Sequence, residues 1–216
     1  MVDGIENLID TNQKLNSKCE KVRSSKIIEN WRRAYLHGND EQARGLLREI
    51  LHQLEGEDNI QPLLENLAQI NMYDEDKNVL QERLAPTRFF SDILVSTRQI
   101  LGPKNFLVAE VCTYVANNAC NKYDSRRVAN LHLEELNIRR MYPKRKPIGC
   151  LWAFYEVAIG MSCSGQTEKA RATLEQGVAF MKKNGLEKSL PGIAITNNLK
   201  DAKSGVRTDY PSGKPR

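Results

Sequence analysis

Two stretches of this chain share one outline. In HGNDEQARGLLREIL (37–51) and SGQTEKARATLEQGV (164–178), Gly38, Glu41, Ala43, Arg44 and Leu47 recur as Gly165, Glu168, Ala170, Arg171 and Leu174, each 127 positions later. In both, an apolar run stops at a glycine flanked by small polar residues, and a second amphipathic run begins at once. Two helices joined by so short a turn must return antiparallel as a hairpin. A chain that uses such a unit more than once is constrained to an all-α fold built by setting hairpins side by side.

The helices around these turns follow from spacing. Ala43, Leu46, Leu47, Ile50, Leu51 and Leu54 fall on one stripe of a helix over 40–54. The run 27–38 precedes it, with Gly38, Asn39 and Asp40 supplying the stop and the N-cap. Near the other end, Leu151, Phe154, Tyr155 and Ala158 share a face, Thr167 is the expected N-cap, and Ala170, Leu174, Gly177, Val178 and Met181 line the returning helix. A third hairpin is expected from 104–120 and 125–141, turning at NKYD, and a fourth around QPLLENLAQI, NMYDED and KNVLQERLA. Pro62, Pro86, Pro103, Pro143 and Pro147 all fall in joints, as the missing N–H requires. Turns near 38, 73, 122 and 165 give a mean spacing of about 42 residues, in the range of tetratricopeptide-like solenoids. In that pattern Ala158, Ala170 and Gly177 take the positions that must be small where helices cross, and Phe154 and Leu174 the bulky ones. The first hairpin departs from it, with Trp31 at a position that should be small.

Composition agrees. Aromatics are 6% of the 216 residues and β-branched runs are scarce, while Leu, Ala, Glu, Lys, Arg and Gln, which lose least on entering a helix, are abundant. A net charge of +5 suits solubility and attraction to acidic partners and does not call for nucleic acid. The five cysteines form no C-x-x-C pair; Cys112, Cys120 and Cys163 lie in apolar helical runs and read as buried thiols of a reducing intracellular compartment, cytoplasmic or nuclear. The opening MVDGIENLIDTNQKL has neither a basic start nor an apolar core, so no secretory leader is expected. No apolar run approaches the ~18 residues of a membrane span, and a soluble protein is expected.

Between 102 and 190 the match becomes more particular. Pro103 and Asn105, Tyr142, Pro147 and Gly149, Gly165 and Ala170, and then Gly185, Glu187, Ser189 and Leu190 stand as in one known helical domain. The stretch resembles the C-terminal helical domain of SET and MYND domain protein-lysine methyltransferases, with Lys146 and Lys188 where that family often has His. The resemblance implies a tetratricopeptide-like domain that contributes to a substrate cleft and to protein contacts. It brings no chemistry: the Asn-His motif and active-site Tyr of the SET domain, the Cys/His cluster of the MYND module and the Cys-x-Cys-x-x-Cys zinc site are all absent from this sequence.

Sites of other kinds are scarce. His37, His52 and His132 form no HExxH or His-Cys cluster, no Ser, Cys or Thr stands near a recognisable base, and the glycines do not gather into a phosphate loop. No catalytic, metal or cofactor site is therefore expected. The strongest charge signal is RRMYPKRK (139–146), where Arg139, Arg140, Lys144, Arg145 and Lys146 are basic. It reads either as a contact for an acidic peptide, nucleic acid or nuclear import, or as a helix C-terminus whose cations suit the macrodipole. Asn117 and Asn118, on the long apolar helix, are candidates to hold a peptide backbone, since a carboxamide donates and accepts together. Trp31 and Trp152 read as core.

The sequence thus predicts an arm or helix over 1–22, a stack of tetratricopeptide-like hairpins over 23–201 and a disordered tail over 202–216. The expected function is non-catalytic: holding a peptide or protein partner, acidic partners being suited to the net charge, on a helical groove, with no membrane contact and nucleic acid disfavoured. The alternatives are a methyltransferase domain whose catalytic part is missing and a basic nucleic-acid-associated scaffold.

Overall fold

The computed structural model describes residues 26–57, 60–68, 86–118 and 125–204. Every regular element among them is an α-helix. They are α1 (Lys26–Leu36), α2 (Asp40–Gln53), α3 (Gln61–Ala68), α4 (Pro86–Leu101), α5 (Phe106–Asn118), α6 (Ser125–Arg139), α7 (Pro147–Cys163), α8 (Thr167–Lys183) and α9 (Leu190–Lys203). The fold is all-α. The chain divides into two compact units, Met1–Ala119 and Cys120–Arg216.

The two look-alike stretches make the same turn. Gly38 and Gly165 both take left-handed backbone, at φ 73° and φ 79°, a conformation that costs a residue without Cβ nothing. In the first turn Asn39 N–H donates to Ala34 O at 2.9 Å and Gly38 N–H to Tyr35 O at 3.2 Å. In the second, Gln166 N–H donates to Met161 O at 2.8 Å and Gly165 N–H to Ser162 O at 3.0 Å. This crossed pair of bonds closes a helix C-terminus and satisfies carbonyls that have no partner inside the helix. The next helix starts in register both times, with Ala43 N–H bonded to Asn39 O and Ala170 N–H to Gln166 O.

The N-cap of α2 falls within the expected stretch: Asn39 caps the helix, its side chain accepting from Gln42 N–H at 3.2 Å, whereas that of α8 differs by a residue. Gln166, not Thr167, stands at the cap of α8 and makes no side-chain cap bond; Thr167 is the first helical residue. The asparagine reaches the N–H three residues on, which is the ordinary N-cap geometry.

In the Met1–Ala119 unit, α1 packs on α2, α2 on α4, α4 on α5 and α3 on α5. α5 forms a hairpin with α4, a helix that the spacing does not single out, and the turn between them runs through Gly102, Pro103, Lys104 and Asn105. α4 is rich in Thr, Phe, Ile and Val, which have low helix propensity. Its period is nonetheless helical: Phe90, Ile93, Leu94 and Thr97 are buried at i, i+3, i+4 and i+7. The expected turns near 73 and 122, and the second helix of the fourth hairpin, lie outside the described residues.

In the Cys120–Arg216 unit, α7 is the shared partner: α6, α8 and α9 all pack on it, and α8 and α9 on each other. Phe154, Ala158, Ala170 and Leu174 are buried as the spacing predicts, and so is Gly177. A Cβ on Gly177 would lie 3.2 Å from Phe154 Cβ and 3.1 Å from Ile195 Cδ1. One on Gly160 would meet Ala129 Cβ at 2.9 Å, so α6 and α7 cross through Gly and Ala. α9 continues to Lys203, past the expected start of the tail at 202. Cys163, expected to be buried, is exposed at the end of α7, whereas Cys112 and Cys150 are buried.

These glycines make opposite predictions. Gly160→Val must push Ala129 away and should lower stability by about 1–3 kcal/mol. Gly45→Ala, on the exposed face of α2 with nothing within 4 Å, should raise it by up to about 1 kcal/mol. Thermal midpoints read by circular dichroism should move down for the first and up for the second.

Candidate functional site

The residues singled out in the sequence separate into three situations. Asn117 is exposed on the last turn of α5, and Asn118 is the last residue of that helix. Arg140 and Lys144 are exposed on the joint between α6 and α7, where Arg145 and Lys146 are half-buried. Arg139 is different. It is 1% exposed, so the structure removes it from any surface contact.

Arg139 turns inward because α6 carries a polar row on its buried face. His132, Glu135 and Arg139 follow one another at i, i+3 and i+7 and are all buried. Arg139 Nε donates to Glu135 Oε1 at 2.7 Å, and His132 Nδ1 lies 3.0 Å from Glu135 Oε2. The carboxylate is thereby neutralised and hydrogen-bonded on both oxygens, the condition for burying charge. Gly149 makes room for the guanidinium: a Cβ there would sit 3.1 Å from Arg139 Nη1. The signal was in HLEELNIRR, where charged residues share the inward face with Leu136, and the basic run that follows masks it.

The outer part of the joint is held by its own backbone. Met141 N–H donates to Ile138 O, Tyr142 N–H to Arg139 O and Arg145 N–H to Tyr142 O, each at 2.9 Å. Lys146 then takes left-handed backbone, φ 45°, before Pro147 opens α7. That conformation is uncommon for a residue with a Cβ and fixes the angle at which the helix departs. The Arg140 guanidinium carbon lies 5.9 Å from the Phe154 ring centre, within cation–π range.

A second feature was not anticipated. In the Met1–Ala119 unit, α1, α2 and α4 enclose a cleft of about 260 Å³ lined by Trp31, Tyr35, Asp40, Arg44, Asp92 and Ser96, among others. Trp31 and Tyr35, one helical turn apart, stack with centroids 5.5 Å apart and planes at 17°. Tyr35 Oη donates to Asp92 Oδ2 at 3.0 Å, tying α1 to α4. The walls therefore combine aromatic surface with two carboxylates, a guanidinium and a hydroxyl. Trp31 is core by burial, as expected, and also a wall of the cleft. Without α4 the cleft could not be read from the sequence.

The remaining reactive groups are quiet. Burial pushes the Cys150 thiol up to about 11, with nearby Arg139 opposing the shift and Glu135 adding to it. A thiol held protonated is a poor nucleophile. Among the described residues no three His, Cys, Asp or Glu side chains gather to hold a metal ion, and no helix is long and apolar enough to cross a membrane. Set against known proteins, the chain matches no family model and no curated sequence.

Three measurements check this geometry. Glu135→Ala leaves the buried guanidinium without its carboxylate and should cost about 3–5 kcal/mol, whereas Arg140→Ala, at the exposed neighbour, should cost less than about 1 kcal/mol. At pH 8 a maleimide should label Cys163 at once and Cys150 only on unfolding. Because folding raises the Cys150 pKa from 9.0 to about 11, the stability it contributes is whole below pH 9 and is lost as pH rises through about 11. Cys150→Ala should flatten that decline in alkaline urea unfolding.

Proposed function

We propose that this chain is a non-catalytic helical-repeat module of tetratricopeptide type that holds a peptide or protein partner in a groove between helices. The observation that carries the reading is the α1–α2–α4 cleft. It is concave, it is walled by helices, and it sets a few converging polar groups around a floor of buried aromatic rings, features that ligand and peptide sites share. Asp92 and Arg44 offer an acceptor and a donor set to a backbone or side chain, and the buried Trp31 and Tyr35 rings give the cleft a firm floor.

The turns and the small-residue crossings support the tetratricopeptide part. Ala158, Ala170 and Gly177 stand where that pattern needs small side chains, and the glycine turns after α1 and α7 share one hydrogen-bond scheme. The resemblance of 102–190 to the helical domain of SET and MYND methyltransferases supports a pedigree in which such a domain serves substrate and protein contacts. Methyl transfer does not come with it, because the residues that perform it have no counterpart in this sequence.

Selection from a random peptide library on the full chain tests the reading. Peptides should be recovered that bind saturably, and Ser96→Arg, which fills the cleft from a half-buried position, should weaken them about tenfold or more with the circular dichroism spectrum unchanged. Selected peptides that bind Ser96→Arg as well as the parent chain contradict the groove. Heat released on titrating S-adenosylmethionine would instead favour the methyltransferase alternative.

A further inference from the structure

We infer that the joint between α6 and α7 is a second docking surface, one that takes an acidic protein segment bearing apolar side chains. It lies within the Cys120–Arg216 unit and is carried by observations independent of the cleft. Burial of Arg139 divides the basic run. What stays outside is a short platform: Arg140 and Lys144 exposed, Arg145 and Lys146 half-buried, and between and beside them Met141 at 53% and Ile148 at 47% exposure. Large apolar side chains held in water at the centre of a cationic turn have no role in the core of this unit. They do have one against a partner that brings carboxylates for the cations and apolar groups for Met141 and Ile148.

The platform is preformed. The backbone bonds from Met141, Tyr142 and Arg145 fix the turn, and the buried Glu135–Arg139 pair anchors its first residue. A partner therefore meets a surface that loses little freedom on binding. Methionine adapts to irregular apolar contacts, and Arg140 keeps a charge that pairs with carboxylates in a fixed fork geometry.

Charge complementarity favours an acidic protein segment over the other anionic surfaces. A nucleic-acid backbone is held by cations and draws little from Met141 and Ile148. A lipid-headgroup site of the polybasic kind uses about four to eight projecting cations, and of the joint's cations Arg140 and Lys144 alone are exposed.

The test uses the full chain and a fluorescein-labelled peptide of about 16 residues, with Leu at i, i+3, i+4 and i+7 and Glu at the other positions. Anisotropy should show saturable binding that weakens about tenfold or more in Arg140→Glu/Lys144→Glu, to a similar extent in Met141→Ser/Ile148→Ser, and also on raising salt from about 50 to about 300 mM. Ser96→Arg should leave it unchanged, so failure of the cleft and failure of the joint are read separately. Amide shift mapping on the unsubstituted chain should place the largest changes at 140–148, whatever the variants do. Peptide binding indifferent to both double variants, shifts confined to other segments, or tighter binding of a single-stranded RNA or of phosphatidylserine vesicles than of the peptide would overturn the inference.

Discussion

The packing of the Cys120–Arg216 unit depends on how closely three helices can approach α7. Backbones come that near only where side chains are small, and the chain supplies Gly160 against Ala129 on one side and Gly177 against Phe154 on the other. Bulk at the first point would lift α6 away, and bulk at the second would push α8 off both Phe154 of α7 and Ile195 of α9. The large residues beside these points, Phe154, Leu174 and Met181, then fill the grooves the small ones leave. Close approach and groove filling are two sides of one requirement, that an interior be packed to solid density.

That requirement also explains the buried charge. With α6 drawn tightly onto α7, the end of its inner face has no route to water, and Arg139 is enclosed rather than displayed. Glu135 and His132 complete a row that makes the enclosure tolerable, and Gly149 provides the space. Such a row contributes less to stability than an apolar core of the same volume, but it requires one register, because a slip of one residue would leave the guanidinium against hydrocarbon. The geometry of the joint outside follows from that register. The polar row on the inner face of α6 is thus structural, while Arg140 and Lys144 of the joint beyond it are exposed.

Much of this was legible in the letters. Gly38 and Gly165, each between an apolar stripe and a polar residue, announce the turns, and the stripe of 43, 47, 50 and 51 gives the buried face of α2 directly. The small positions of α7 and α8 were equally plain, because a helix crossing restricts size more than identity. Two things were hidden, for different reasons. α4 hides behind β-branched and aromatic residues that lower its propensity, and its burial against α2 and α5 overrides that preference. With α4 missed, the partner of α5 within its own unit was missed too, and the cleft had no second wall. Arg139 was hidden because a run of cations reads as surface. Only the carboxylate four residues earlier shows that one of them is spoken for.

In the proposed function, shape is the working part of this protein. Hydrogen exchange of the full chain, with and without a library-selected peptide, tests that claim most directly. The account predicts slowed exchange in α1 and α4, the helices tied together by Tyr35 and Asp92, with a retained pattern through α7. Protection that leaves α1 and α4 untouched while the peptide is bound would contradict it.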